Sequence, residues 1–209
     1  LLAGADAAEA AGRAVAARVQ TALRGAWPRC AVHLFGSRML GLGEPSSDVD
    51  LCALVPDVTV TPREPAGRPR LERLASEIGA EMARYAGGGG GLGGARISAV
   101  QVVASARAPL VRFSYIAEGG APPVAVELSV NNVCGLANSY ALAALHNAAP
   151  GLRAATAAAR RWARARRLGG LHCTLSSYAW AVMVAHTAQQ LRLAPLVCAR
   201  EGAFTALLR

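Results

Sequence analysis

The chain has 209 residues, 53% hydrophobic and 17% charged, enough for one domain or two small lobes around a core and too apolar for a disordered tail. No run approaches the roughly 18 uninterrupted apolar residues of a membrane span, and the longest candidate, residues 179–185, soon meets His186, Gln189 and Gln190, which excludes a transmembrane protein for this stretch. All 22 basic residues are Arg against 13 acidic ones, and the net charge of +9 favours polyanionic partners: nucleic acid, nucleotide phosphates or an anionic membrane surface.

From Asp6 to Trp27, Val15, Val19 and Leu23 recur at four-residue spacing with Arg13, Arg18 and Arg24 on other faces, which predicts an amphipathic helix ended by Pro28. Asp6 and Glu9 among the alanines read as a helix already under way rather than a signal peptide, so a fragment of a longer protein is expected. The run from Cys30 to Phe35 is short, apolar and stopped by Gly36, as suits a buried strand. Val49 to Val55 suits another, with a Gly- and Ser-bearing turn between the two. Pro62, Pro65 and Pro69 predict a loop from Thr59 to Pro69, and Leu71, Leu74, Ile78 and Met82 a helix from Arg70 to Ala86. The glycine tract from Ala86 to Ala95 reads as a linker, since no Lys or Ser/Thr follows its five successive glycines as in a phosphate-binding loop.

Strand-like runs follow at Ile97 to Ala104, Leu110 to Ile116 and Val124 to Val130. From Gly135 onward only helices are expected, roughly Leu136 to Asn147, Leu152 to Arg167 and Leu175 to Leu191, separated by Pro150-Gly151 and Gly169-Gly170. A mixed strand and helix lobe thus precedes a helical lobe. The five cysteines, Cys30, Cys52, Cys134, Cys173 and Cys198, are scattered and never form a C-x-x-C pair. That argues against a disulfide framework and a zinc site, and for a reducing, intracellular compartment. His172 and Cys173 are chain neighbours, which rarely point at one ion.

Chemistry-bearing residues gather at the ends of the first two strands. Phe35-Gly36-Ser37 ends one, and after ten intervening residues Asp48-Val49-Asp50-Leu51 opens the next. Side chains alternate along a strand, so Asp48 and Asp50 point the same way. Carboxylates at i and i+2 suit hard divalent cations, and Mg²⁺ prefers one or two carboxylates plus substrate phosphates. Gly36 lets the backbone approach a phosphate, and the Ser37 hydroxyl can bond it. Glu127 is the one acid in an apolar strand and either supplies a third carboxylate or sits alone on a solvent face. Arg160 and Arg164, four apart, share one helix face within reach of a single triphosphate. Arg161, Arg166 and Arg167 suit solvent or an RNA backbone, and Tyr178, near a helix start, can present its ring to a base or fill a core.

Together, Phe35-Gly36-Ser37, Gly41-Leu42 and Ser47-Asp48-Val49-Asp50-Leu51 resemble the signature of the DNA polymerase β-like nucleotidyltransferases. Asn131-Asn132, Asn138-Ser139, Arg160-Arg161-Trp162-Ala163-Arg164 and Thr174-Leu175-Ser176-Ser177-Tyr178, in that order, narrow the resemblance to the non-canonical poly(A) polymerase and terminal uridylyltransferase family. Small-molecule nucleotidyltransferases share the Gly-Ser and D-x-D elements but not the later ones. The resemblance implies an α/β catalytic lobe over residues 27–133, a mixed sheet of about five strands with helices. It implies a helical lobe, residues 1–26 plus 134–209, packed against that sheet and incomplete at its C-terminal end.

The implied activity is template-independent addition of UMP from UTP to RNA 3′ ends, or of AMP from ATP, by a two-metal mechanism with no membrane partner. Asp48, Asp50 and Glu127 would be the catalytic ligands of Mg²⁺ or Mn²⁺. Gly36 would give the triphosphate access and Ser37 would touch it. Asn138 would recognise the ribose 2′ hydroxyl, and Ser139 the sugar or base edge. Arg160 and Arg164 would hold phosphates, Ser177 would bond the triphosphate, and Tyr178 would stack on the base. The family carries Asp at the third acid and Lys at the phosphate positions; this chain has Glu127, one methylene longer, and Arg. A Glu127 facing the cleft with both aspartates predicts activity, whereas one tied to an Arg leaves two acids and favours a weakly active RNA-binding subunit.

Overall fold

A computed structural model describes residues 4–44, 46–56, 58, 67–86, 92–119, 122–149, 151–168 and 175–193. In chain order the elements are α1 (Ala5–Arg24), β1 (Ala31–Phe35), α2 (Gly36–Met39), β2 (Val49–Leu54), α3 (Gly67–Ala86) and β3 (Arg96–Val103). They continue with β4 (Leu110–Ile116), β5 (Val124–Val130), α4 (Val133–Ala148), α5 (Leu152–Ala165) and α6 (Ser177–Gln190). Most of the proline-bearing loop, the five-glycine run, Gly169-Gly170, His172, Cys173 and Cys198 lie outside the described residues.

The five strands form one sheet in the order β1-β2-β5-β4-β3. Every neighbouring pair is antiparallel except β2 with β5, which run parallel. A parallel neighbour requires a long crossover, and here α3, β3 and β4 supply it. On one face Val49 and Leu51, Val111 and Phe113, and Val126 and Leu128 form a row of buried apolar side chains. Helices α1 and α3 cover that face with Val15, Val19 and Leu23, and with Leu71, Leu74, Ile78 and Met82, the periodic residues of the sequence. At about 25 cal/mol per Å² of buried apolar surface, this shared core is the main source of the sheet's stability.

Three local features depart from the sequence reading. Helix α1 buries its apolar face in the sheet core rather than against the C-terminal helices, although the division at residue 26 groups it with them. The reason lies in Val15, Val19 and Leu23, which meet the strands directly. Helix α3 begins at Gly67 and so takes in Pro69, which is tolerated because N–H groups of a first helical turn have no intrahelical acceptor. The Gly-Ser turn is a four-residue helix, α2, too short to show a helical period. Helices α4, α5 and α6 pack together through a smaller cluster of Ala149, Leu152 and Ala185. Among the described residues no helix is long and apolar enough to cross a membrane.

Candidate active site

Strand register sets one row of side chains across the face opposite the core. Phe35 stands opposite Asp50, Asp50 beside Glu127, and Glu127 opposite Arg112. Paired residues on neighbouring strands project to the same side, so Asp50 and Glu127 share a face. Asp48 lies two residues before Asp50, just outside β2, and is exposed, whereas Asp50 is half-buried. Burial pushes the Asp50 carboxyl up to about 6, with the charges of Glu127 and Asp48 adding to the rise and Arg38 and Arg160 opposing it. The acids therefore feel one another, and their repulsion is only partly neutralised.

A cleft of about 350 Å³ opens beside these acids, lined by Ser37, Glu44, Ser46, Ser47, Asp48, Asp50 and Arg164. Gly36 forms its turn at φ +71°, where a Cβ would lie 2.2 Å from Asp50 Oδ2. Only glycine meets both demands, the left-handed backbone and the missing side chain. The Gly36 N–H donates to Ser139 Oγ at 3.0 Å. Ser139 is buried, so its hydroxyl ties α4 to the turn at the end of β1. Asn138, its neighbour, is exposed.

Across the cleft, Arg164 donates to Glu44 Oε1 at 3.1 Å, an exposed ion pair between the loop after α2 and helix α5. One turn earlier, Arg160 is 8% exposed. Its Nε makes no hydrogen bond. Burial and the Arg164 charge lower its pKa, while Glu44 and Asp50 raise it. A desolvated guanidinium in this position favours an anionic partner. Ser177 and Tyr178 are exposed at the start of α6, where the Ser176 side chain caps the helix by accepting from the Ala179 N–H. Neither lines the cleft.

Glu127 is held by Arg112, whose Nε and Nη2 both reach Oε1, at 3.0 and 2.6 Å. Among the described residues no three His, Cys, Asp or Glu side chains converge closely enough to hold one ion together. The site thus presents two acids on the cleft and a third, ion-paired, beside them. Sequence reasoning missed Arg112, Glu44 and Arg38. Register makes Arg112 visible and chain path makes Glu44 visible, while the only signal for Arg38 was an Arg set among apolar residues and glycines.

A parallel strand pair with Asp50 and Glu127 side by side, a Gly-Ser turn against Asp50 and a flanking helical wall make a palm of the DNA polymerase β-like nucleotidyltransferase type. The chain belongs to the family described as poly(A) RNA polymerase, mitochondrial-like, central palm domain, which matches residues 5–146. Among solved structures it resembles one chain of a GLD-2/RNP-8 complex, with 19% identity, a TM-score of 0.67 and 88% of this chain matched to 60% of that one. Terminal uridylyl transferase 4 from Trypanosoma brucei with bound dUTP is similar at 19% identity and TM-score 0.70, over 88% of this chain and 55% of that one. mtPAP in complex with UTP is similar at 24% identity and TM-score 0.67, over 84% of this chain and 37% of that one. The chain thus spans between about a third and three fifths of the length of these relatives. A comparison with curated protein sequences gave no match.

Proposed function

We propose that the cleft binds a ribonucleoside triphosphate and that the full-length protein transfers the nucleotide to an RNA 3′ hydroxyl without a template, releasing pyrophosphate. One observation carries this reading: Ser37, Asp48 and Asp50 share a single cleft with Arg164. The finer assignment is UMP from UTP, with AMP from ATP as the alternative. Family membership supports both, because the family is described by a poly(A) RNA polymerase and its structural neighbours include a terminal uridylyl transferase. The free thiols of Cys30 and Cys52, buried in the core, support a reducing, intracellular setting.

Asp48 and Asp50 are hard oxygen ligands, and a divalent cation would offset both the burial that chiefly raises Asp50 and the added repulsion of Glu127 and Asp48, so the donor set fits Mg²⁺ or Mn²⁺. Bound there, the ion would supply the charge that acidifies the attacking hydroxyl and neutralises the leaving pyrophosphate. Gly36 opens the approach to the acids, and Ser37 would bond the triphosphate. Arg160 and Arg164 would hold phosphates in line with the attacking oxygen. Asn138 would read the ribose 2′ hydroxyl and Ser139 would support it from the Gly36 turn, with Ser177 on the triphosphate and Tyr178 stacked on the base.

Extension of an RNA primer by the full-length protein, with each of the four NTPs and Mg²⁺, tests the reading. UTP is expected to extend the primer, preference for ATP would select the alternative, and no extension with any NTP would overturn the proposal. The bond between Glu127 and Arg112 favours a second reading, an RNA-binding subunit with weak turnover. Glu127→Asp and Glu127→Ala compared under Mg²⁺ and Mn²⁺ separate the two. A metal ligand predicts that Asp keeps or raises turnover while Ala loses it, and unchanged turnover in Glu127→Ala removes the residue from the chemistry.

A further inference from the structure

Arg38 is the most deeply buried cation described, 3% exposed at the third position of α2. Among the described residues, its bonds go to main-chain carbonyls on two sides. Nε donates to Ser47 O at 3.1 Å and to Asp48 O at 3.2 Å, and Nη2 donates to Ser47 O as well. Nη1 donates to Ala8 O of α1 at 3.0 Å. One glycine makes room for it: a Cβ at Gly43 would lie 2.8 Å from Arg38 Cγ.

We infer that Arg38 is a positioning residue for the acid pair: it fastens the chain entering β2 to α1, so that Asp48 and Asp50 meet the cleft in a fixed geometry. The inference rests on the proposed metal-dependent reading of those acids. A planar guanidinium can serve several carbonyls at once, which a Lys ammonium cannot do in the same geometry. Ser47 and Asp48 precede β2, outside the ladder that fixes Asp50. Without Arg38, the carbonyl of Asp48 loses a charged donor and the Asp48 side chain can leave the cleft while the sheet stays intact. Asp50, held in register on both sides by β1 and β5, has no such freedom.

The test uses the full-length protein and Mn²⁺ alone as the probe, with free ion followed by electron paramagnetic resonance. Arg38→Met is expected to weaken Mn²⁺ binding about 10- to 100-fold, the usual cost of removing a group that orients a metal-binding carboxylate. Arg38→Lys should fall between it and the wild type. Because Arg38→Met can fail to fold, Gly43→Ala provides a second route, crowding Arg38 while leaving its charge. It too should lower Mn²⁺ affinity and raise the Mg²⁺ concentration needed for half-maximal extension. Wild-type Mn²⁺ affinity in Gly43→Ala and in whichever Arg38 variants fold, with only a lower melting temperature, would make Arg38 merely structural and overturn the inference. Failure of the wild type to bind Mn²⁺ would overturn it as well. Metal binding is read without RNA or nucleotide, so a protein whose Mn²⁺ affinity depends on Arg38 yet which extends no primer contradicts the functional reading alone.

Discussion

At Gly36 a single hydrogen atom stands where any other side chain would strike Asp50. Gly36→Ala is expected to cost about 1–2 kcal/mol through its left-handed backbone alone. It should also abolish extension, because Asp50 must move away from the new methyl group. Thermal melting and primer extension check both parts, and full activity in the variant would show that the turn does not govern the acid. Asp50 predicts a pH dependence too. Its carboxyl is raised from 3.8 to about 6, so the folded chain holds that proton more tightly than the unfolded chain does. The resulting stability is fully present below about pH 4 and is lost as pH rises towards 6. A cation that takes the proton's place then stabilises most where Asp50 would otherwise be ionised. The gain in melting temperature from Mn²⁺ should therefore be larger at pH 7 than at pH 5. Equal gains would mean that Asp50 is no ligand.

Where β2 and β5 end, Asn131 knots them together. It takes a left-handed backbone (φ +46°), which Asn tolerates better than most residues. Its main-chain N–H donates to Ala53 O at 2.9 Å. Its Oδ1 accepts from the Val55 N–H at 2.8 Å, and its Nδ2 donates to Val58 O at 2.7 Å. Asn131→Ala leaves buried groups unpaired and is expected to destabilise the fold by about 1–3 kcal/mol in a denaturant titration. A change near zero would show that water replaces the amide. Both sequence and structure carry this residue, but the sequence presented it only as part of a motif. The strands were legible because Val126, Leu128 and Val130 alternate with polar residues, and α1 and α3 because their apolar residues keep a helical period. The aspartates stood out in the sequence as a D-x-D pair at a strand start, but the strand begins at Val49, so alternation applies to Asp50 and not to Asp48. Arg112 was not legible: nothing local says that it stands opposite Glu127, since register is decided by packing of the whole sheet. Helix α2 escaped for a different reason, as one turn has no period to read.

Across the whole molecule, the Glu44–Arg164 pair links the sheet side of the cleft to α5. With side chains 54% and 47% exposed, it is worth about 0–1 kcal/mol, so Glu44→Gln should leave the melting temperature nearly unchanged. Under the proposed reading, Glu44 would compete with a bound phosphate for the same guanidinium. The variant should bind UTP more tightly by calorimetry, by no more than about five-fold, and added salt should shrink the difference. Weaker binding would instead mean that the pair holds α5 in place for the nucleotide. The parallel meeting of β2 with β5 has a consequence in time. A ribosome delivers Asp48 and Asp50 first and must then make α3, β3 and β4 before β5 exists to lie beside them. The non-local pairing is slow to close, and it brings in Glu127 and the strand that braces Asp50. A nascent or prematurely ended chain thus carries Asp48 and Asp50 at a strand that lacks its second neighbour, and under the proposed reading such unfinished copies would be without the braced site.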